Sequence, residues 1–269
     1  MFAYDGFFSR VSLGQFGFRW LHIVAGITWI GLLYFFNFVQ GSAFAEFENE
    51  PHKEIGGKAR LIAMDKITRR ALWWFRWSAL ATFLTGILIA GVTEGYFDGG
   101  FDASGAEISW GKIAGNVGIS TGILMGTIML VNVWAIIWRN QKIVLANAAN
   151  VLAGGEPNPA AAAAGRKAGM ASRQNTIFSV ALVYFMVFKS HSPLAGKVLE
   201  SSDLATYWIV ALLLIVVLEL NALGLMPWKA AVNKGLNKLY DGPGIRNAVI
   251  TSVGLWVAFL VLTEIVFAS

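Results

Sequence analysis

Two histidines are the side chains of this sequence best suited to chemistry. His22 and His191 lie in separate apolar stretches of a 269-residue chain that holds three histidines and no cysteine. Without cysteine there is no thiolate metal site and no covalent Cys-x-x-Cys-His haem attachment. Two neutral imidazoles on different helices can ligate a haem b iron from opposite faces. We therefore predict that His22 and His191 bind haem b. The alternatives are a non-haem metal site, contact with a substrate, or simple hydrogen bonding and packing.

The predicted membrane spans bring both histidines to one depth. Runs of about 20 apolar residues, the length that crosses a bilayer, lie at approximately 18–39, 72–91, 118–138, 174–190, 205–224 and 246–267. The sequence thus predicts an all-α, polytopic helical bundle of about six transmembrane helices, forming a single domain over residues 1–269. Span one starts on the side to which span four returns, so His22 and His191 lie at the same level.

Composition excludes a soluble or nucleic-acid-binding protein. Hydrophobic residues make up 56% of the chain and charged residues 14%, against about 45–50% and 25% in soluble domains. Fifteen Lys and Arg follow spans one, three and five, and five lie on the other side. The positive-inside rule then directs those loops to the cytoplasm and both termini to the periplasm of a bacterium. We expect a multi-pass protein of the bacterial inner membrane that contacts the lipid bilayer and no nucleic acid.

Four further residues could serve a haem at the level of the histidines. Arg19 and Lys189 could neutralise its propionates at the membrane interface. Trp29 lies deep enough to stack on a flat cofactor, although core packing is the simpler explanation. Glu264, late in span six, returns to the same level. Its carboxylate could orient an imidazole through the second ring nitrogen, or it could simply lie at the interface.

A second polar group lies near the cytoplasmic side of the spans. Ionisable side chains are costly inside a bilayer and often mark functional sites. Arg76 in span two and Glu219 in span five lie at matching depth, so we expect them to pair. Asn132, late in span three, lies at the same level. One interpretation of this group is structural cross-linking of the helices, and the other is a proton or substrate path.

Several short strings, taken in order, resemble one protein family. They are RWLHIVAGITWIG at 19–31, WWFRW at 73–77, NVWAIIW at 132–138 with Gln141, SRQN at 172–175 and HSP at 191–193. Together they resemble the membrane domain of the bacterial cytochrome c-dependent urate hydroxylase family, the urate oxidase N-terminal domain, over residues 15–267.

This resemblance implies an activity and a direction for electron flow. Members of the family link a multi-span membrane domain to a periplasmic cytochrome c domain. They hydroxylate urate to 5-hydroxyisourate and pass the electrons to cytochrome c. By this resemblance, His22 matches the histidine of the first-span motif and His191 the histidine before the proline that follows the fourth span.

The two ends of the chain carry further expectations. The chain stops at Ser269 without a cysteine, so we expect a stand-alone version without the cytochrome c domain. Such a protein would pass electrons to a separate periplasmic c-type cytochrome. The first 17 residues look like a short interfacial segment. They lack the basic start and cleavage site of a signal peptide, so we expect the amino terminus to be retained.

Three functions therefore stand open from the sequence. The first is an inner-membrane haem b oxidoreductase or electron-transfer protein that exchanges electrons with a c-type cytochrome. The second is urate hydroxylation proper. The third is a non-enzymatic role, either as an accessory subunit of a larger respiratory or photosynthetic membrane complex or as a small-molecule carrier.

Overall fold

Long helices make up almost the whole of the computed structural model. It describes residues 6, 8–9, 12–92, 97–101, 104–227, 231–242 and 244–268. Within them lie six long helices: α1 (Phe18–Asn49), α2 (Lys53–Val92), α3 (Ala114–Leu152), α4 (Ala161–His191), α5 (Ser201–Ala222) and α6 (Arg246–Phe267). The predicted all-α helical bundle is confirmed. Much of the predicted amino-terminal interfacial segment, at 1–5, 7, 10 and 11, lies outside the described residues.

The described parts of the connections between the helices contain little regular structure. Between α2 and α3, strands β1 (Gly100–Phe101) and β2 (Glu107–Ile108) form an antiparallel hairpin that pairs Gly100 with Ile108. A 3₁₀ turn, Trp110–Lys112, then leads into α3. A second 3₁₀ turn, Gly235–Leu239, lies between α5 and α6.

Five of the helices are long and apolar enough to cross a membrane, and α4 is not among them. The exception has a physical reason, because α4 is the central helix and packs against α1, α3, α5 and α6. It therefore needs few lipid-facing apolar residues and carries polar ones instead, such as Gln174 and Asn175, which are fully buried. The outer helices expose large apolar side chains such as Ile27, Ile209 and Ile265, as lipid contact requires. The chain is a multi-pass membrane protein.

Small residues let α3 approach α4 closely. A Cβ atom at Gly118 would lie 2.7 Å from Cδ1 of Phe188, and one at Gly122 would lie 3.1 Å from Cβ of Phe185. Phe185 in turn meets Phe259 of α6 edge to face, with ring centroids 5.1 Å apart. Glycine at four-residue spacing is a known device for close helix packing in membranes. The α3–α4–α6 contact is therefore the apolar centre of the bundle.

Helices α1 and α4 run antiparallel. The hydroxyl of Tyr34 lies 2.9 Å from Oγ of Ser179. Further along α1, Asn37 Nδ2 donates to Oγ of Ser172, which comes earlier in α4.

Two ends of the bundle can be told apart. We use the term basic end for the end with the α1–α2, α3–α4 and α5–α6 connections, at 50–52, 153–160 and 223–245. Glu48, Arg60 and Asn158 line one cavity there, and Asp241 bonds Arg166 of α4. The opposite end holds the start of α1 and the connections at 97–113 and 192–200. That the basic end faces the cytoplasm stays a prediction.

Candidate functional site

Three helices widen from α to π geometry near one level of the bundle. The π turns are Phe35–Gln40 in α1, Met64–Thr68 in α2 and Asn132–Ile137 in α3. A π turn holds an extra residue relative to the α-helix, which re-aims the side chains that follow it, and such turns are frequent at functional sites. Each of these three turns contributes a side chain to the same cavity.

That cavity, which we call the inner pocket, has a volume of about 170 Å³. Its lining residues are Phe36, Asn37, Gln40, Gly41, Thr68, Leu72, Phe75, Ile137, Gln141, Ala168, Gly169, Ser172 and Arg173. A single water needs about 10–15 Å³ of such volume, so the inner pocket has room for a ligand of roughly a dozen heavy atoms. It lies between α1, α2, α3 and α4, and amides, hydroxyls and one guanidinium provide its polar groups.

Hydrogen bonds hold several of these polar groups in place. Asn37 Nδ2 donates to the Leu33 carbonyl and to Oγ of Ser172, both at 2.8 Å. Thr68 Oγ1 donates to Oε1 of Gln40 at 2.7 Å. Gln141 differs, because its Oε1 is buried without a hydrogen-bond partner in the described part of the chain. An unsatisfied buried acceptor is costly, and a ligand that donates a hydrogen bond would remove that cost.

A larger cavity adjoins the inner pocket on the side of the basic end. This basic-end cavity has a volume of about 750 Å³. The residues that line both cavities are Gln40, Gly41, Thr68, Gln141, Gly169 and Arg173. Arg60 and Arg166 line the basic-end cavity but not the inner pocket.

A buried carboxylate clamps two of these arginines. Asp241, which is only 4% exposed, accepts two bonds from Arg166, at 2.6 and 2.9 Å, and one from Arg173 at 3.1 Å. The backbone N–H of Asn233 donates a further bond to Asp241 Oδ2 at 2.9 Å. Burial alone would raise the pKa of Asp241, but the hydrogen bonds from Arg166 and Asn233 outweigh it and hold that pKa below its ordinary value.

The neighbouring tyrosine anchors this clamp to the core. The Tyr240 hydroxyl lies 2.7 Å from both Oε1 of Gln174 and the Leu218 carbonyl. Burial raises the pKa of Tyr240, so the hydroxyl keeps its proton and acts as a donor. The α5–α6 connection is thereby fixed against α4 directly beside the two arginines.

A second polar cluster joins α3, α4 and α5. Asn132 Nδ2 donates to Oδ1 of Asn175 at 3.0 Å and to Oε2 of Glu219 at 3.2 Å. Asn175 Nδ2 donates to the Met129 carbonyl at 3.0 Å. The structure therefore brings together two of the three residues predicted for this level.

The predicted pairing of Arg76 with Glu219 is wrong. The Arg76 guanidinium lies over the Trp138 ring, 3.6 Å from its centroid, and 5.7 Å from the centroid of Trp134. Both groups contact α3 instead: the guanidinium lies over an indole face, and the carboxylate accepts a bond from the Asn132 amide. Arg76 Nε itself is buried without a hydrogen-bond partner among the described residues.

His22 points from α1 toward α2. Its Nδ1 lies 2.8 Å from the Thr82 carbonyl and 3.2 Å from Oγ1 of Thr85. Gly86 lies against the same ring, and a Cβ atom there would come within 3.2 Å of Cε1. If Nδ1 carries the proton and donates to the carbonyl, Nε2 keeps its lone pair, which is the arrangement of a metal-ligating histidine. That His22 binds a haem stays a prediction.

His191 is exposed at the last residue of α4. It lies twelve residues beyond Ser179, and His22 lies twelve residues before Tyr34. At a rise of about 1.5 Å per residue, each is roughly 18 Å from the Tyr34–Ser179 contact on the side of the opposite end. No described contact joins the two imidazoles, and no cluster of three or more His, Asp or Glu that could hold a metal occurs among the described residues. Haem ligation by the pair stays a prediction.

The other residues predicted to serve a haem are dispersed. Arg19 and Glu264 are exposed, and the described hydrogen bonds join neither of them to a histidine. Lys189 Nζ donates to Oδ1 of Asn116 at 2.5 Å and lies 5.5 Å from the Phe97 ring centroid. Trp29 is 3% exposed within the core, and its indole nitrogen has no partner among the described residues.

Part of the chain is similar to a known protein family. Residues 114–223 match the family model described as urate oxidase N-terminal. This match confirms the resemblance over these residues, whereas the strings at 19–31 and 73–77 lie outside the matched segment. The matched segment of the urate oxidase N-terminal family covers α3, α4 and α5. It supplies Gln141, Ser172 and Arg173 to the inner pocket. No curated protein and no solved structure matches the chain.

Sequence reasoning missed the inner pocket as a site. It placed the chemistry at the histidines, although Gln141 and the string 172–175 were already prominent in the family resemblance. A usable signal was present in the sequence: Asn37, Gln40 and Gln141 are amides where apolar runs end, on the side of the basic end. Amides cannot be buried in lipid without partners, so they must face one another or a ligand.

Proposed function

We propose that this protein is a urate hydroxylase-like oxidoreductase of the bacterial inner membrane, and that it binds the purine substrate in the inner pocket. The observation that carries this proposal is the convergence of Gln141, Ser172 and Arg173 on one polar cavity. All three come from the segment that matches the urate oxidase N-terminal family.

The chemistry of the inner pocket suits a planar purine anion. Urate carries N–H donors and carbonyl acceptors around its whole edge and is an anion near neutral pH. Side-chain amides offer both a donor and an acceptor. Gln141 would offer both here, and Asn37 would offer its carbonyl oxygen, because its Nδ2 already donates to Leu33 and Ser172. The Arg173 guanidinium supplies a positive charge and planar donors. Leu72, Phe75 and Ile137, each at most 4% exposed, provide an apolar wall that excludes water.

The proposed reaction removes two electrons from urate. Urate and water give 5-hydroxyisourate, two protons and two electrons, and two ferric c-type cytochromes would accept the electrons in the periplasm. A haem b, when bound, would supply a one-electron carrier within the membrane. In this chain Nε2 of His22 would hold it, with Nδ1 oriented by the Thr82 carbonyl, and His191 is the predicted second ligand.

Gln141→Leu tests the pocket without disturbing a bond of the fold. Because Oε1 of Gln141 has no described partner, the leucine variant should be at least as stable as the parent. It should nevertheless bind urate about tenfold more weakly, since an unsatisfied buried donor on the ligand costs about 1–3 kcal/mol. Equilibrium binding of urate to the purified protein in detergent gives the Kd, and thermal unfolding of the same samples gives the stability.

Asn140→Leu is the matched control, because Asn140 is the adjacent amide of α3 and lines neither cavity. It should leave the Kd for urate unchanged. A second assay measures urate-dependent reduction of added ferric cytochrome c by membranes that contain the protein. If the parent protein binds no urate, or if both leucine variants bind it equally well, the assignment of the inner pocket is wrong.

A further inference from the structure

The inner pocket adjoins the basic-end cavity. Six residues line both it and the basic-end cavity. Toward the opposite end, the inner pocket ends on Leu72, Phe75 and Ile137, which are almost completely buried. Beyond them α1 adds the buried side chains of Leu33 and Trp29 to the same core. A ligand would therefore enter the inner pocket from the basic end.

The charges around the basic-end cavity favour a small anion. Arg60, Arg166 and Arg173 line the basic-end cavity. Glu48 binds Arg60 at 2.6 Å, and Asp241 binds the other two arginines. Three guanidinium groups against two carboxylates leave one positive charge. A cleft with low-dielectric walls and a net charge of one sign concentrates ions of the other sign.

Arg173 stands at the junction of the two cavities. It lines both of them, and one of its five N–H donors bonds Asp241 at 3.1 Å. Asp241 binds Arg166 with two shorter bonds. The guanidinium of Arg173 is thus held by its weaker contact with the carboxylate, and the described residues give its other donors no hydrogen-bond partner.

We propose that the basic-end cavity is the entrance through which a small organic anion reaches the inner pocket, with Arg173 as the residue that receives it. The identity of the anion as urate rests on the proposed function, whereas the entrance itself rests on the cavity and its charges. The substrate therefore enters from the face of the membrane that carries the Lys- and Arg-rich connections.

The absence of cysteine from the chain allows a direct test by single-cysteine labelling. Gly169→Cys places a thiol at the junction, where a Cβ atom meets no other atom within 4 Å. Glu156→Cys marks the basic end, because Glu156 is exposed in the α3–α4 connection. Gly254→Cys is the matched control, an exposed glycine of α6 with equally open space. The probe is the membrane-impermeant anion methanethiosulfonate ethylsulfonate, applied to sealed right-side-out and inverted vesicles.

We expect Gly169→Cys to react only in the vesicle preparation in which Glu156→Cys reacts, and Gly254→Cys to react in neither. A cationic reagent of similar size should modify Gly169→Cys about tenfold more slowly than the anion. Three outcomes would overturn the proposed entrance. They are reaction of Gly169→Cys from the other face, no reaction from either face, and a faster reaction with the cation than with the anion. The labelling is then repeated with saturating urate, which should protect Gly169→Cys. If Gly169→Cys reacts in the same vesicles as Glu156→Cys but urate does not protect it, the entrance stands and the proposed function is contradicted.

Discussion

The substitution Asp241→Asn removes the negative charge that holds Arg166 and Arg173 beside the basic-end cavity. In the parent protein Oδ1 of Asp241 accepts bonds from Arg166 and Arg173, and Oδ2 accepts bonds from Arg166 and from the backbone N–H of Asn233. The side chain of Asp241→Asn keeps one oxygen and turns the other into an NH₂ group. Whichever way the amide points, that NH₂ group faces two N–H donors, so two hydrogen bonds are lost together with the charge.

The loss can be estimated from the bonds and the exposure. Hydrogen bonds to charged groups contribute about 1.5–3 kcal/mol each, and removal of one partner from a buried pair costs about 3–5 kcal/mol. The side chains of Arg166 and Arg173 are 38% and 29% exposed, so water can replace part of what they lose. We therefore expect Asp241→Asn to lower the free energy of unfolding by about 2–3 kcal/mol, a factor of roughly 30–150 in the unfolding equilibrium.

Reversible unfolding in mixed micelles, followed by tryptophan fluorescence between pH 3 and pH 8, measures this difference. Because the folded-state pKa of Asp241 is lowered, its stabilisation is complete above the unfolded-state pKa and is lost as pH falls through the folded value. The gap between parent and Asp241→Asn should therefore be constant from pH 6 to 8 and shrink in acid. Glu156→Gln, an exposed carboxylate at the same end, should change little. Equal stability of parent and Asp241→Asn at pH 7, or a gap that widens in acid, would refute the reasoning.

Two further predictions concern packing and the histidines. Gly118→Leu should destabilise the protein by about 1–3 kcal/mol through overpacking against Phe188, whereas Gly254→Leu on the open surface of α6 should not; thermal unfolding of the two variants decides this, and equal midpoints would contradict it. His22→Ala should abolish b-type haem absorption in protein made under haem-replete conditions, whereas His52→Ala should keep it. A reduced-minus-oxidised spectrum shows the outcome, and an unchanged spectrum in His22→Ala would exclude His22 as an axial ligand.

The helices could be predicted from the sequence because lipid contact leaves a strong local pattern. Runs of apolar residues located the six long helices, although only five of them are long and apolar enough to cross a membrane and α4, whose centre is polar, is not. Close glycine packing also follows from local sequence, as at Gly118. The boundaries were less predictable, since α2 continues to Lys53 and α3 to Leu152, well past the apolar runs. Polar residues extend these helices beyond the bilayer core, where hydropathy carries no signal.

The candidate site could be predicted only in part. The depth of His22 and His191 follows from the order of the spans, but which neighbour each ring faces depends on helix rotation. Arg76 shows the same limit: depth suggested Glu219 as its partner, and rotation brought Trp138 instead. The π turns were invisible to periodicity, because one extra residue shifts a helix face without changing composition. Those turns decide which side chains line the inner pocket.

The inner pocket and His22 lie at different levels of the bundle, and this separation bears on both proposals. Asn37 in the inner pocket is fifteen residues from His22 along α1, about 22 Å at the rise of an α-helix. Buried side chains such as Trp29, Leu33 and Phe75 occupy the core between these levels. If urate is oxidised in the inner pocket, substrate and protons use the basic end, and the two electrons leave by the opposite end. A soluble cytochrome would then never meet the substrate entrance. The packed core between these levels separates the inner pocket from the opposite end while it holds both sites in one bundle.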